Sequence, residues 1–277
     1  MNFKELLSTE IKKFRYHSTV TLLLAFFTIL MPVAILALKS IFKDSTGPIK
    51  FLSELYDLPM IWEYQGYAGS WFVFIFLGFM VLQMYTNEIS YRTVRQNIIT
   101  GYTKKEFFMA KVVTIVAISI FATTIFTLSS MAIGMYHTPG FDLELLFDNN
   151  YAIIRFFLMC LGTLFYALLI AVTFKKGGLS MIMYFLFPLV LEPILRGLTI
   201  YGLIKIDKPN WTAMNYWPLN TIEDLFTFPP IRQGADVLNF HKDMNPVHPY
   251  WIAIGMSVIF TAGFLYLAWK KFDNTDI

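Results

Sequence analysis

"NEISYRTVRQNIITGYTKKEFFMAK", Asn87–Lys111, is a polar, basic stretch set between two long apolar runs. It carries Arg92, Arg95, Lys104, Lys105 and Lys111 against only Glu88 and Glu106. Within it, Thr103-Lys104-Lys105-Glu106 followed by Phe107-Phe108 spells a capping box ahead of an apolar run. Gly101 just before it predicts a break in any preceding helix. The stretch therefore reads as a short helix over Asn87–Thr100, a turn, and the start of a long helix. Such a helical hairpin at 87–106 protrudes from whatever the apolar runs are buried in.

Those runs are buried in a bilayer. The chain of 277 residues is 56% hydrophobic and only 15% charged, well below the roughly 25% of soluble domains. A spanning helix needs about 20 mostly apolar residues. Six stretches qualify, at about Ser18–Leu38, Ser70–Thr86, Phe107–Tyr136, Tyr151–Phe174, Leu179–Tyr201 and Pro249–Trp269. The second is the shortest and the third is long enough to tilt or project. Continuous apolarity, rather than alternation, selects helices over barrel strands. The fold expected is an all-α polytopic membrane protein, one six-span domain over 1–277. The single cysteine, Cys160, lies in an apolar run and reads as a small buried hydrophobe.

Orientation follows from the loops. With a cytoplasmic N-terminus, the inner segments hold thirteen of the 22 Lys and Arg but six of the 19 Asp and Glu. The positive-inside rule then places both termini in the cytoplasm. Residues 1–17 carry Phe3, Leu6, Leu7, Ile11 and Phe14 at helical spacing, with Lys4, Lys12, Lys13 and Arg15 off that stripe. This predicts an amphipathic helix lying in the membrane interface. The outer connections at 39–69 and 202–248 are long and rich in aromatics, which suits short helices on the outer membrane surface.

On charge alone, the opening stretch fits an ordinary solvated inner loop as well as a docking hairpin. A pure lipid-binding patch suits it less, because Glu88, Gln96 and Asn97 interrupt the basic residues. It also resembles the cytoplasmic loop of type-2 ABC exporter permeases, most of all the bacitracin-export-like branch. Glu88 matches the family's acid at the end of the second span, and Thr93 its threonine. Ile98-Ile99 match the apolar pair, Lys104 the basic position and Lys111 the lysine entering the third span. Arg92 stands where the family has glycine, and Thr100-Gly101 where it has a proline. Six spans, an interfacial N-terminal helix and a long fifth-to-sixth loop extend the resemblance over the whole chain.

The resemblance implies a membrane-spanning permease subunit, paired with a second copy or a related permease and docked on a separate ABC ATPase. Glu88, Arg92, Arg95 and Gln96 would then meet the ATPase, while Asn97, Gly101, Lys104 and Lys105 would shape and flank the hairpin. The chain has no G-x-x-x-x-G-K-[ST] loop, so it is expected to be no enzyme itself and to hold no cofactor. ATP and Mg would bind the partner. Membrane lipids are the other expected contact, and nothing points to nucleic acid. The cargo is not legible.

Glu192 and Arg196 sit four apart on the fifth span, a spacing that lets them pair. Ionisable groups at membrane depth also mark a substrate pathway, flanked here by Pro188 and Pro193. A structural pair is the simpler expectation, and Arg155 is expected to be an interfacial anchor. An intramembrane protease built on E-x-x-x-R does not fit: Leu191 precedes Glu192 where paired glutamates are needed, and no F-x-x-x-H occurs. No metal site is expected, since His241, Asp243 and His248 make a poor ligand signature. An ion-coupled carrier or channel without an ATPase is the alternative. Its weakness is the thin mid-span polar content, Ser119, Thr123, Thr124 and Thr163.

Overall fold

The computed structural model describes residues 10, 12–13, 18–42, 56–91, 93–99, 101–140, 142–205, 215–229 and 248–274. The expected helix over 1–17 lies outside them except for Glu10, Lys12 and Lys13. Among the described residues the protein is all-α. Six helices are long and apolar enough to cross a membrane, which makes it a multi-pass membrane protein.

The elements run α1 (Ser18–Phe42), α2 (Ile61–Ser90), α3 (Thr93–Ile99), α4 (Lys104–His137), α5 (Leu143–Phe147), α6 (Ala152–Phe174), α7, α8 (Pro218–Glu223) and α9 (Tyr250–Asp273). Helix α7 has three parts, Gly177–Leu186, Phe187–Leu191 and Glu192–Lys205. Helix α6 is the centre of the bundle and packs on α9, α4 and α2. Its buried face alternates large and small side chains, with Phe156, Leu164 and Leu168 beside Cys160, Gly162, Ala167 and Ala171. Small residues let neighbouring helices approach closely, which is how spans associate when lipid is as apolar as the core. Helix α7 is the least buried span and exposes Ile182, Leu189, Ile194 and Leu198, the apolar surface a lipid-facing helix requires.

The second span departs from expectation. It is not the shortest: the helix begins at Ile61 rather than Ser70 and runs 30 residues. Its first turns hold Glu63, Gln65, Gly66 and Gly69, which lower the apolarity that sequence reading relies on. Tertiary partners meet the two polar side chains. Gln65 Nε2 donates to Ser129 Oγ at 2.6 Å, and Glu63 meets Arg155.

Two segments wind as π-helix, Val73–Gly78 in α2 and Phe187–Leu191 in α7. They are joined by Tyr184, whose hydroxyl donates to the Phe74 carbonyl at 2.9 Å and whose ring stacks on Phe74 at 4.7 Å. Gly78 makes this possible, because a Cβ there would lie 1.9 Å from the Tyr184 hydroxyl.

The segment 218–226 does not lie on the membrane surface as expected. It is wedged into the bundle: Thr221, Ile222, Leu225 and Phe226 are buried, and Ser257 of α9 donates to the Thr221 carbonyl at 3.2 Å.

Candidate functional site

The short helix before the turn covers Thr93–Ile99 rather than Asn87–Thr100, because α2 continues to Ser90. Thr103 caps α4 in an extended conformation, its hydroxyl accepting from Glu106 N at 3.1 Å while Glu106 Oε2 accepts from Thr103 N at 3.0 Å. Gly101 has φ +107, a region only glycine enters freely. Its N–H donates to the Ile98 carbonyl, and that of Tyr102 to Asn97, closing the end of α3. Thr93 Oγ1 donates to the Glu88 carbonyl at 2.8 Å and fastens the other end. Only Val94 of α3 is buried. Arg95, Gln96 and Lys105 are exposed, and Asn97 and Lys104 half-buried. Lys104 Nζ donates to the Asp273 carbonyl at 3.0 Å, tying the turn to the end of α9. Tyr91 and Ile99 stand 77% and 78% exposed among these polar groups. Arg92 and Thr100 lie outside the described residues.

Glu88 is placed differently from the surface position expected of it. It points inward, 8% exposed, into a charge cluster beneath the hairpin. Lys111 Nζ lies 2.6 Å from Glu10 Oε2 and 2.7 Å from Glu88 Oε1. Lys13 Nζ lies 2.8 Å from Glu10 Oε1 and 3.4 Å from Glu88 Oε1. Two acids and two lysines balance, and the Lys111 ammonium also sits 5.0 Å from the Phe107 ring centroid. Burial works to raise the Glu10 carboxyl, but Lys111 and Lys13 together win and hold it below its ordinary value. Burial likewise works to lower Lys13, and Glu88 and Glu10 raise it above its ordinary value. The cluster joins three chain segments, the one before α1, α2 and α4.

At the opposite end, Arg155 is not an interfacial anchor but is wholly buried. Its Nη2 meets Glu63 Oε1 at 2.5 Å and its Nη1 donates to the Leu225 carbonyl at 2.8 Å. The guanidinium lies under the Tyr250 ring, 3.9 Å from the centroid, with Tyr151 and Phe226 at 4.7 Å each. Asn149 and Tyr250 complete the Glu63 carboxylate. The group clamps α2, α6 and α9 onto the 224–226 turn.

Glu192 and Arg196 are brought together, though by a third residue. Glu192 Oε1 accepts from Asn220 N at 2.8 Å, and Arg196 Nη1 donates to Asn220 Oδ1. Beside them a cavity of about 320 Å³ opens between α2, α6, α7 and α8. Arg196, Asn220 and Glu223 line it, together with a wall of aromatic rings. Of the residues considered for a metal, His241 and Asp243 lie outside the described residues.

Sequence reading missed the partners rather than the places. Arg155 lies just inside an apolar run, whereas Glu63 falls before the run expected to start at Ser70, so nothing in the sequence paired the two. Asn220 and Glu10 gave none, since only packing brings them to Arg196 and Lys111. No protein-family model matches this chain, and comparison with characterised proteins also finds no match.

Proposed function

We propose that this protein is the membrane-spanning permease subunit of an ATP-driven exporter, coupled to a separate ABC ATPase through residues 87–106. The observation that carries the reading is the mounting of the hairpin. An exposed helix bearing Arg95, Gln96 and a bare Ile99 is capped directly onto one uninterrupted helix of 34 residues. At 1.5 Å per residue that helix is about 50 Å long, more than the hydrocarbon core it crosses. A push on α3 is transmitted through Gly101 and the capping box to the far end of α4. The buried charge cluster holds α2 and α4 together at the base, so the hairpin moves with both.

Exposed apolar side chains in an otherwise charged loop suit a protein partner better than water. Tyr91 and Ile99 are such side chains. The basic residues at this end favour the cytoplasm, where the ATPase would bind ATP and Mg. A second permease copy would complete the transporter, with both termini cytoplasmic in the bacterial inner membrane.

The test is co-purification of the detergent-solubilised chain with a P-loop ATPase encoded beside it, comparing wild type with Arg95→Ala plus Ile99→Ala. These two side chains are exposed, so the variant stays folded; Glu88→Ala would instead disturb the buried cluster. Loss of the ATPase in the double variant is the expected result. If no ATPase accompanies the wild type, the hairpin is a plain loop and the carrier or channel reading replaces this one.

A further inference from the structure

The cavity near Asn220 is bounded on one side by the π-helical segments of α2 and α7, through Phe74, Pro188 and Leu189. π-Segments in helices recur at functional sites because they misalign a turn and aim side chains elsewhere. Here the rings of Tyr67, Trp71, Phe74, Tyr166, Phe226 and Phe228 surround the space. At about 320 Å³ it stands at the lower end of the roughly 300–1,000 Å³ of small-molecule pockets. That volume is too small for a folded peptide.

Charge narrows the ligand further. Arg196, the cation on the wall among the described residues, is already held by Asn220 and faces the Glu192 carboxylate. Asp224 is buried, its carboxylate accepting from Asn220 Nδ2 and His248 N at 3.4 Å each. Glu223 lines the cavity with its side chain open to it. With Arg196 facing Glu192, the Glu223 carboxylate is the charged group that, among the described residues, is turned to the open space. A purely apolar occupant would cover Glu223 and Asn220 without replacing their water, which is unfavourable. An anion would meet Glu223 and Asp224. A cation suits both the carboxylate and the ring faces, whose quadrupoles attract positive charge.

We propose that this cavity binds a monovalent organic cation with an apolar, aromatic-sized body, its charge against Glu223 and its body between Trp71, Phe74 and Tyr166. The site is lined by this chain's own residues and goes beyond the coupling reading. If the ATPase partnership also holds, a cation of this class becomes the cargo to test.

The experiment is equilibrium dialysis of the full chain in neutral detergent against tetraphenylphosphonium and tetraphenylborate, ions of nearly equal size and opposite charge. Wild type is compared with Glu223→Gln and Trp71→Leu, each checked for folding by gel filtration. Saturable binding of one phosphonium per chain is expected, weakened at least tenfold in either variant, with the borate only partitioning into micelles. Three results would overturn the proposal: saturable borate binding of equal strength, no saturable phosphonium binding to folded wild type, or unchanged affinity in both folded variants. The dialysis contains no ATPase, so its outcome is independent of the co-purification result.

Discussion

Lys111 Nζ lies 2.7 Å from Glu88 Oε1 where the two side chains are only 4% and 9% exposed. Both residues stand out in the sequence, one as the acid ending the second span and the other as the lysine entering the third. Their relationship is that they form one ion pair, with Glu10 on the other side of the ammonium. The pair closes the base of the hairpin, so the polar groups that mark this stretch in sequence divide into an inner set that builds it and an outer set that presents it.

Removing Lys111 alone leaves Glu10 and Glu88 buried beside the single, more exposed charge of Lys13. Breaking a buried pair from one side costs about 3–5 kcal/mol, whereas replacing it whole is often near neutral. Lys111→Met should lower the thermal midpoint of the solubilised protein strongly, and adding Glu88→Gln and Glu10→Gln should recover much of the loss. A triple variant no more stable than the single one would count against the cluster as described.

Arg155 makes a fork to Glu63 and the Leu225 carbonyl while its guanidinium carbon lies 3.9 Å from the Tyr250 ring centroid. A lysine keeps the charge but neither the fork nor the plane. Arg155→Lys should therefore destabilise by about 1–3 kcal/mol, the cost of an unpaired buried polar group. Thermal unfolding followed by gel-filtration fluorescence reads this directly; a silent lysine variant would make Arg155 a simple counter-charge.

The contact between Gly78 and Tyr184 predicts a coupling. Gly78→Ala drives a methyl into the tyrosine hydroxyl, and overpacking of this kind costs about 1–3 kcal/mol. Tyr184→Phe removes the colliding oxygen but leaves the Phe74 carbonyl without this donor. The double variant should be more stable than the sum of the two losses, and a double-mutant cycle measures the difference. Strict additivity would show that the two residues do not share the contact.

Glu223 sets a dependence on pH. Desolvation beside the cavity's rings, reinforced by the Glu192 carboxylate and partly offset by Arg196, pushes its carboxyl from 4.5 up to about 7. A raised acid binds more protons folded than unfolded between those values, so stability falls as pH rises through that window. Glu223→Gln removes the slope. The variant should match wild type near pH 4 and unfold at a higher temperature at pH 8, by a margin softened because the side chain opens into the cavity. Equal midpoints at both pH values would remove the shift.

The class of this protein was legible in its sequence because membrane spanning is a local demand. Twenty apolar residues announce a span whatever they pack against, and Thr103, Glu106 and Gly101 settle a helix start and a turn within a few residues of chain. Those elements were found at their places. The start of α2 was not, because Glu63, Gln65 and the glycines beside them look like loop until Arg155, Ser129 and neighbouring helices are present to satisfy them. Burial of a charge depends on what lies opposite, and nothing near Glu88 in sequence says that Glu10 and Lys111 converge on one another beside it. Likewise Glu192 and Arg196 had the spacing of a direct pair, but Asn220, from a segment wedged in between α6 and α9, took both. Sequence alone determined the number of spans, the hairpin and its cap. Tertiary structure decided which charges turn inward, how the 218–226 segment enters the bundle and where a cavity remains, because those outcomes rest on contacts between residues far apart in the chain.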